Sequence, residues 1–307
     1  MPIKIPKGLP AVSALETEGI MVLDEQRPVY PHHRPLRVAL LNLMPNKVDT
    51  EIQIARLLGA TPLQVELTLV KITNHTPKNT PTEHLVSFYH DWLDIKAQKF
   101  DGFVITGAPV ETIPFEEVSY WDELARIFNW TQTNVHSCLN ICWGAQAAMH
   151  HFHGMPKYTL REKAFGVFRH RRVKSDSPYL KGLSDSFDIP VSRWTEMRDV
   201  DIPVESGISV LIDSPETGLC LLNDPKHHAL HIFNHIEYDS NTLANEYFRD
   251  RHAGRDIRVP RNYFPDDCET LSPSNQWRSH AHVLIATWIT QILQTTPADP
   301  SRIGGDR

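Results

Sequence analysis

The stretch Asn140-Ile141-Cys142-Trp143-Gly144-Ala145-Gln146 decides how this chain is interpreted. The largely apolar run 135–141 predicts a buried strand, and the small residues at 144–149 favour a helix. Cys142 therefore falls on a sharp turn between a strand and a helix. A thiol there stands clear of the backbone and lies at the positive end of the helix, which favours the thiolate. The pattern predicts a nucleophilic cysteine, although a free cysteine is often simply a buried residue.

A second motif, His235-Ile236-Glu237, follows the apolar run 229–233. We expect His235 to end a strand, where residues two apart point the same way. Glu237 would then hold the imidazole in the tautomer that accepts the thiol proton. Cysteine, histidine and glutamate together supply a nucleophile, a base and an orienting group. This set predicts acyl transfer through a thioester on Cys142.

Strand and helix patterns alternate in the first half of the chain. Strands are predicted at 36–44, 65–72, 100–106 and 135–141, with helices at 50–58, 84–96 and 121–130. This order is typical of a parallel sheet with helices on both faces. Ligands of such sheets bind at the carboxyl ends of the strands, so we expect Gly107 and Cys142 to face one cleft.

The pattern changes after residue 158. Shorter strands are predicted at 165–172, 187–189, 208–212, 218–222 and 229–233, and helices at 241–251 and 277–294. This half should be mixed or antiparallel. We expect a proline-rich N-terminal surface segment at 1–35, a single domain at 36–295 and a disordered tail at 296–307.

Composition excludes several classes of protein. The chain has 307 residues, 41% of them hydrophobic, and a formal net charge of −6. No run approaches the ~20 apolar residues of a transmembrane helix, and the N-terminus has no apolar signal region. The four cysteines have no CxxC spacing, so neither a disulfide scaffold nor a cysteine metal site is expected. A cytoplasmic setting, without membrane or nucleic acid partners, follows.

Two local clusters have alternative interpretations. The basic run Arg169-His170-Arg171-Arg172 is too short to track nucleic acid and predicts a solvated strand, or else a contact to an anionic ligand such as a nucleotide phosphate. His150, His151 and His153 crowd the helix after Cys142. They lack a matching cysteine or carboxylate pattern, so no metal is expected.

The two motifs together carry a resemblance. Cys142-x-Gly144-x-Gln146 with His235-x-Glu237 resembles the class I glutamine amidotransferase fold, a flavodoxin-like α/β architecture, although Asn140 stands where that fold usually has glycine. Further segments resemble the homoserine O-acyltransferases of methionine biosynthesis: 43–47 (LMPNK), 106–111 (TGAPVE), 120–121 (YW), 142–147 (CWGAQA) and 233–238 (FNHIEY). The resemblance extends from about residue 2 to 294.

The resemblance implies roles for the motif residues. Cys142 would take the acyl group from acyl-CoA, His235 would act as the general base, and Glu237 would orient it. The backbone N–H of Trp143 would help to form the oxyanion hole. Lys47 matches a family lysine near the nucleophile, where it would stabilise charge.

It also implies substrate contacts at Lys163, Ser192 and Arg249. A guanidinium binds a carboxylate bidentately, so Arg249 suits the carboxylate of homoserine. Glu246, one helical turn away, would meet the substrate ammonium. From the sequence alone, a surface ion pair is the better explanation of Glu246 and Arg249, and only the family match favours substrate contacts.

Within this family the position of Glu111 is associated with the acyl donor, and Ser192 is the other position assigned to acyl-CoA specificity. Similar enzymes with glycine at the Glu111 position use succinyl-CoA, and those with glutamate use acetyl-CoA. A glutamate there would repel the distal succinyl carboxylate and fill its space. The alternative is that Glu111 points to solvent and the donor is succinyl-CoA.

The expected activity is therefore ping-pong transfer of an acetyl group from acetyl-CoA to L-homoserine, with no cofactor beyond this co-substrate. The resemblance also suggests a homodimer. Three alternatives stay open: succinyl transfer to homoserine, a glutamine amidotransferase or hydrolase that uses the same three residues, and a non-enzymatic binding module that would trap no acyl group.

Overall fold

A computed structural model describes residues 3–23, 34–73, 75, 80–174 and 176–305. Its strands are β1 (Ile3–Lys4), β2 (Val22–Leu23), β3 (Leu36–Leu41), β4 (Val65–Lys71), β5 (Tyr89–Asp91), β6 (Phe100–Ile105), β7 (Val135–Ile141), β8 (Tyr158–Arg172), β9 (Ser186–Glu196), β10 (Ser209–Ser214), β11 (Gly218–Asp224) and β12 (Ala229–Ile232). Its helices are α1 (Ala11–Thr17), α2 (Lys47–Gly59), α3 (Thr82–Phe88), α4 (Trp92–Ile95), α5 (Trp121–Asn134), α6 (Trp143–His153), α7 (Thr242–His252) and α8 (Arg278–Thr295).

All of these strands belong to one sheet in the order β2-β1-β4-β3-β6-β7-β12-β11-β10-β8-β9, with β5 paired to β4. The neighbours from β2 to β12 in this order are parallel, as is β5 with β4, and the neighbours from β12 to β9 are antiparallel. This confirms the predicted α/β class and the change of pattern in the second half. The sheet is continuous because β12 pairs in parallel with β7 while its other edge accepts β11.

The sheet separates two hydrophobic layers. Along β3, Val38 and Leu40 face one layer, whereas Ala39 and Leu41 face the other, as expected when successive side chains alternate. The first layer contains apolar residues of α2 and α8, and the second those of α5 and α6. Strands buried on both faces explain the nearly continuous apolar runs of the sequence.

The predicted helix at 84–96 is wrong in its middle. Tyr89 to Asp91 leave the helix and pair with the edge of β4, so α3 and α4 are separate. Aromatic residues favour extended backbone when a sheet edge is available. Tyr89 is 7% exposed and its hydroxyl donates to Glu51, a contact that local periodicity does not reveal.

The two chain ends also differ from expectation. Residues 3–23 are not merely a surface segment, because Ile3 pairs with Val65 and is fully buried, as is Leu15; the rest of 1–35 lies partly outside the described residues. The tail contains a 3₁₀ turn at 300–302, and Ile303 is 1% exposed. Lys99 donates to the carbonyl of Ile303 at 3.0 Å. The tail is therefore packed up to residue 303.

None of the helices in the described ranges is long and apolar enough to cross a lipid bilayer.

Candidate active site

Cys142 occupies a strained turn between β7 and α6. Its φ is 51° and its ψ is −118°, a conformation that costs a non-glycine residue on the order of 1–3 kcal/mol and is concentrated at functional sites. The turn is held by a hydrogen bond of 2.6 Å from the Cys142 N–H to the carbonyl of Ile232. The predicted strand–cysteine–helix elbow is confirmed.

Two glycines leave the space that this elbow needs. A Cβ on Gly144 would lie 2.6 Å from the carbonyl oxygen of Thr106, far inside van der Waals contact. A Cβ on Gly107 would lie 3.2 Å from the Cβ of Cys142. Because β6 and β7 are parallel neighbours, the loops that follow them meet at one edge of the sheet. Gly107 and Cys142 therefore face one cleft, as predicted.

His235 lies beyond the end of β12 and is 4% exposed. Its Nδ1 is 2.7 Å from Oε1 of Glu237, and its ring stacks on Tyr238 with centroids 4.1 Å apart. The backbone here forms a turn, so the expectation that His235 ends a strand is wrong. The His235–Glu237 contact exists nevertheless, because the turn brings the carboxylate within hydrogen-bond distance of Nδ1.

The charge around His235 couples it to Cys142. Burial lowers the pKa of this imidazole, but the Cys142 thiolate and the Glu237 carboxylate, each hydrogen-bonded to it, outweigh burial and raise the pKa well above its usual value. A raised imidazole pKa between a cysteine and a carboxylate suits a group that stabilises a thiolate and later returns its proton. The three predicted catalytic residues are thus in contact.

Cys142 and His235 open into a cavity of about 670 Å³. The loops after β3, β6 and β12, helix α2, strand β9 and the first turns of α7 line it. The other predicted site residues that line it are Glu111, Ser192, Glu246 and Arg249.

A charged network occupies the α7 side of this cavity. Oγ of Ser192 lies 2.9 Å from both carboxylate oxygens of Glu246, and Nζ of Lys163 also donates to Glu246. Nε of Arg249 donates to Asp250 at 2.8 Å, while its Nη2 is 3.9 Å from Glu246. The Arg249 side chain is 63% exposed. Arg249 and Glu246 thus have other, closer partners than each other, and both side chains line one cavity.

Glu111 turns inward from the loop after β6. Its Oε2 accepts a hydrogen bond of 2.9 Å from the backbone N–H of Trp194 on β9. Burial raises the pKa of this carboxyl, although the Trp194 hydrogen bond and the charge of Lys163 oppose the shift. Glu111 lines the Cys142 cavity, which argues against the alternative that it points to solvent.

Four predicted residues lie outside the cavity lining: Trp143, Glu237, Lys163 and Lys47. Lys163 reaches Glu246 without lining the cavity. Lys47 lines a neighbouring cavity of about 480 Å³, and its Nζ donates to the carbonyl of Asn42 at 2.5 Å. Burial lowers the pKa of Lys47 to about 8, against the opposing charge of Glu51. Lys47 and Cys142 therefore line different cavities.

Comparison with known proteins places this site in a family. The model of the homoserine O-succinyltransferase family matches residues 2–298. The chain belongs to that family. Relatives named homoserine O-acetyltransferase, from Brucella canis and Brucella suis, are each 62% identical to it over 304 residues, which is 99% of either chain. The resemblance stated from the motifs is confirmed.

Solved structures confirm the fold of this family member. A glutamine amidotransferase from Thermotoga maritima matches 86% of this chain and 100% of its own with a TM-score of 0.56 at 12% identity. A glutamine amidotransferase from Methylobacillus flagellatus matches 83% of this chain and 94% of its own with a TM-score of 0.51 at 12% identity. At these identities the likeness establishes the class I glutamine amidotransferase-like architecture alone.

The family member also has site residues that sequence reasoning missed. Tyr238 stacks on His235, and Asp239 beside it accepts hydrogen bonds from Arg56 at 2.7 Å and Arg278 at 2.9 Å. Arg278 also lines the cavity. The only local signal was the position of Tyr238 and Asp239 directly after the His-x-Glu motif. Arg56 and Arg278 are far apart in sequence, so nothing in the chain indicated that they meet.

The basic run 169–172 and the three histidines of α6 are the two clusters for which the sequence left alternative interpretations. Arg169 and Arg171 pair with Asp188 at 3.1 Å and Asp213 at 2.8 Å on the outer strands. One face of the basic run is therefore solvated as predicted, whereas His170 between these arginines is fully buried. His150 contacts Glu116 and His151 contacts Asn129. His153 turns instead towards Asp224.

Proposed function

We propose that this protein transfers an acetyl group from acetyl-CoA to the hydroxyl of L-homoserine, giving O-acetyl-L-homoserine for methionine biosynthesis. The observation that carries the proposal is the contact of His235 with both Cys142 and Glu237, at a cavity lined by Cys142, His235, Glu246 and Arg249. The names of the relatives at 62% identity support the same activity. A cytoplasmic homodimer is part of the proposal.

In the first half-reaction the Cys142 thiolate attacks the thioester carbonyl of acetyl-CoA. The N–H of Trp143, the first residue of α6, would stabilise the resulting oxyanion. The bond to the CoA sulfur then breaks, and the leaving thiolate takes the proton of the His235 imidazolium. This step leaves an acetyl group on Cys142 and a neutral His235.

In the second half-reaction neutral His235 accepts the proton of the homoserine hydroxyl while its oxygen attacks the Cys142 thioester. The carbon–sulfur bond breaks and restores the thiolate–imidazolium pair. Arg249 would bind the homoserine carboxylate, and Glu246 its ammonium. Lys163 and Ser192 hold Glu246 in place through their contacts.

Glu111 supports acetyl-CoA as the donor. The carboxylate lies in the same cavity as Cys142 and is fixed by the Trp194 N–H. An acetyl group ends before it, whereas a succinyl carboxylate would approach it in a partly desolvated space. Succinyl transfer is the second candidate, favoured by the description of the matching family model.

Intact mass tests both candidates at once. The protein is mixed with acetyl-CoA or with succinyl-CoA, without homoserine, and the adduct is mapped to a peptide. We expect one acetyl group on Cys142 and little succinyl. Succinylation of Cys142 as the faster reaction would favour the second candidate. Release of ammonia from glutamine, without any acyl adduct, would instead indicate an amidotransferase-type hydrolase.

A further inference from the structure

A second buried cluster of ionisable side chains lies at the far end of α6 from Cys142. Nε2 of His153 is 2.6 Å from Oδ2 of Asp224, and Nδ1 of His227 is 2.8 Å from the same oxygen. Nε2 of His231 is 3.8 Å from it. The Asp224 and His231 side chains are fully buried, and those of His153 and His227 are 5% and 12% exposed. None of these groups takes part in the proposed acyl transfer.

His231 has a nitrogen directed into this cluster without a partner. Its Nε2 has no hydrogen-bond partner among the described residues, because 3.8 Å to Asp224 exceeds hydrogen-bond length. Its other nitrogen, Nδ1, is 3.3 Å from Nδ2 of Asn140, whose buried Oδ1 also has no partner in the described chain.

Rotating the Asn140 amide by a half-turn gives its unpaired Oδ1 a hydrogen-bond partner. Amide oxygen and nitrogen are assigned from the hydrogen-bond network. With the amide turned, Oδ1 of Asn140 accepts the Nδ1–H of His231, and the lone pair of Nε2 is directed towards Asp224. A histidine that donates one ring N–H to an oxygen while the other nitrogen faces a ligand cluster is the usual arrangement at a metal site.

We propose that His153, Asp224, His227 and His231 bind one Zn²⁺ ion. Three imidazole nitrogens and one carboxylate oxygen form a four-ligand set of the kind that zinc takes in a closed site. Bonds of ~2.0–2.2 Å place tetrahedral ligand atoms about 3.3 Å apart. The candidate atoms of His153, Asp224 and His227 all lie within 4.8 Å of one another. Shifts of about 1 Å would bring these three ligands to coordination distance. His231, whose Nε2 is 3.8 Å from the Asp224 oxygen, would complete the set by a further movement.

The position of the site gives the metal a structural role. It would join the end of α6, through His153, to the β11–β12 turn and to β12 itself. Helix α6 begins directly after Cys142, and the chain leaves β12 towards His235. The helix has 11 residues, which places the site roughly 16 Å from the nucleophile. The metal would fix the elements that carry the nucleophile and the base without touching substrate.

Metal content and thermal unfolding test the inference directly. Tag-free protein is stripped with a chelator, dialysed against micromolar Zn²⁺ and analysed for zinc by elemental mass spectrometry. We expect about one zinc per chain and a rise in Tm on the order of 5 °C relative to the stripped protein. Co²⁺ in place of zinc should give the visible absorption of a tetrahedral site.

Adjacent histidines provide matched variants. His227→Asn removes the most exposed proposed ligand. His228→Asn changes the next residue, which is exposed and has a φ of 50° that asparagine tolerates. Zinc content and the zinc-dependent rise in Tm should be lost in His227→Asn and kept in His228→Asn.

Two outcomes overturn the proposal. Folded wild-type protein that retains less than about a fifth of an equivalent of zinc and shows no change in Tm would mean that the cluster is a metal-free hydrogen-bond network. His227→Asn with full zinc content would place the metal elsewhere among the 17 histidines. If the variant fails to fold, the wild-type measurement alone decides.

Discussion

The carboxylate of Glu111 accepts a hydrogen bond of 2.9 Å from the backbone N–H of Trp194, which joins the loop after β6 to strand β9 across the Cys142 cavity. Ser192 on the same strand donates to Glu246. One strand therefore positions two carboxylates of this cavity, Glu111, for which we propose a role towards the acyl donor, and Glu246, for which we propose one towards the acceptor.

Glu111→Gly should shift donor preference towards succinyl-CoA. The change removes the negative charge and the side-chain volume that oppose a second carboxylate. A like-charge contact of ~1–3 kcal/mol corresponds to about 10- to 100-fold in kcat/KM. The measurement is kcat/KM for both donors in wild type and variant, and we expect the ratio to move by about that factor.

Glu111→Gln separates the two causes. It keeps the volume and an oxygen that can accept from Trp194, but it loses the charge. If charge dominates, Glu111→Gln should recover most of the succinyl transfer gained by Glu111→Gly. An unchanged donor ratio in both variants would show that Glu111 does not select the donor.

Cys142→Ala should abolish acyl transfer, because no other lining residue of the cavity supplies a thiolate beside His235. Acetyl-CoA alone should label wild type and leave the variant unlabelled. Cys268→Ala is the control, since Cys268 contacts Thr270 away from the cavity. Near-normal turnover in Cys142→Ala would exclude the thioester mechanism. Initial rates of wild type should give the parallel double-reciprocal lines of a ping-pong reaction.

Arg249→Ala should impair the second half-reaction and leave the first nearly intact. A hydrogen bond to a charged group contributes ~1.5–3 kcal/mol, so we expect kcat/KM for homoserine to fall about tenfold or more. Acetylation of Cys142 is measured separately by single-turnover mass analysis.

Arg255→Ala is a close control for this change. Arg255 also pairs with Asp250, at 3.2 Å, but it does not line the cavity. Equal losses in the two variants, or equal losses in both half-reactions of Arg249→Ala, would mean that Arg249 supports α7 and does not bind substrate.

Lys47 should make stability depend on pH in a defined window. Its pKa is lowered from 10.5 to about 8 by burial, so the folded state releases this proton before the unfolded state does. Between pH 8 and 10.5 the unfolded chain binds more protons, and the free energy of unfolding therefore rises with pH. At about 1.36 kcal/mol per pKa unit the contribution is at most about 3 kcal/mol.

The comparison is wild type with Lys47→Met by urea unfolding across this window. The free energy of unfolding of wild type minus that of Lys47→Met should increase with pH. The exposed Lys181→Met should follow wild type. A constant difference would mean that Lys47 stays protonated in its buried site. The stability measurement does not test the predicted catalytic role of Lys47. Single-turnover acetylation of the Lys47→Met variant tests that role.

The sequence predicted the structure correctly where consecutive residues determine it. The apolar run of β7, the cysteine and the small residues of α6 are consecutive, so the elbow could be predicted from residues that touch one another. The helix at 84–96 failed because Tyr89 and its neighbours respond to the edge of β4. Tertiary pairing overrides local periodicity there.

The same distinction applies to the site. Short sequence motifs contain Cys142, His235 and Glu237. The partners of Glu246, Lys163 and Ser192, depend instead on how β8 and β9 approach α7. The pairing of Asp224 with His153 was invisible for the same reason. His153 ends α6 and Asp224 ends β11, and only the folded sheet brings those ends together.

Helix α6 has the sulfur of Cys142 at its N-terminal end and His153 at its C-terminal end, so a small tilt about one end moves the other. Its 11 residues form a rod roughly 16 Å long, so a tilt of about 3° about the His153 end would displace Cys142 by almost ~1 Å. Misplacement of that size can reduce turnover on the order of a hundredfold. Substitutions that pack against the His153 end of α6 can thus reduce turnover strongly even though every residue of the Cys142 cavity is unchanged.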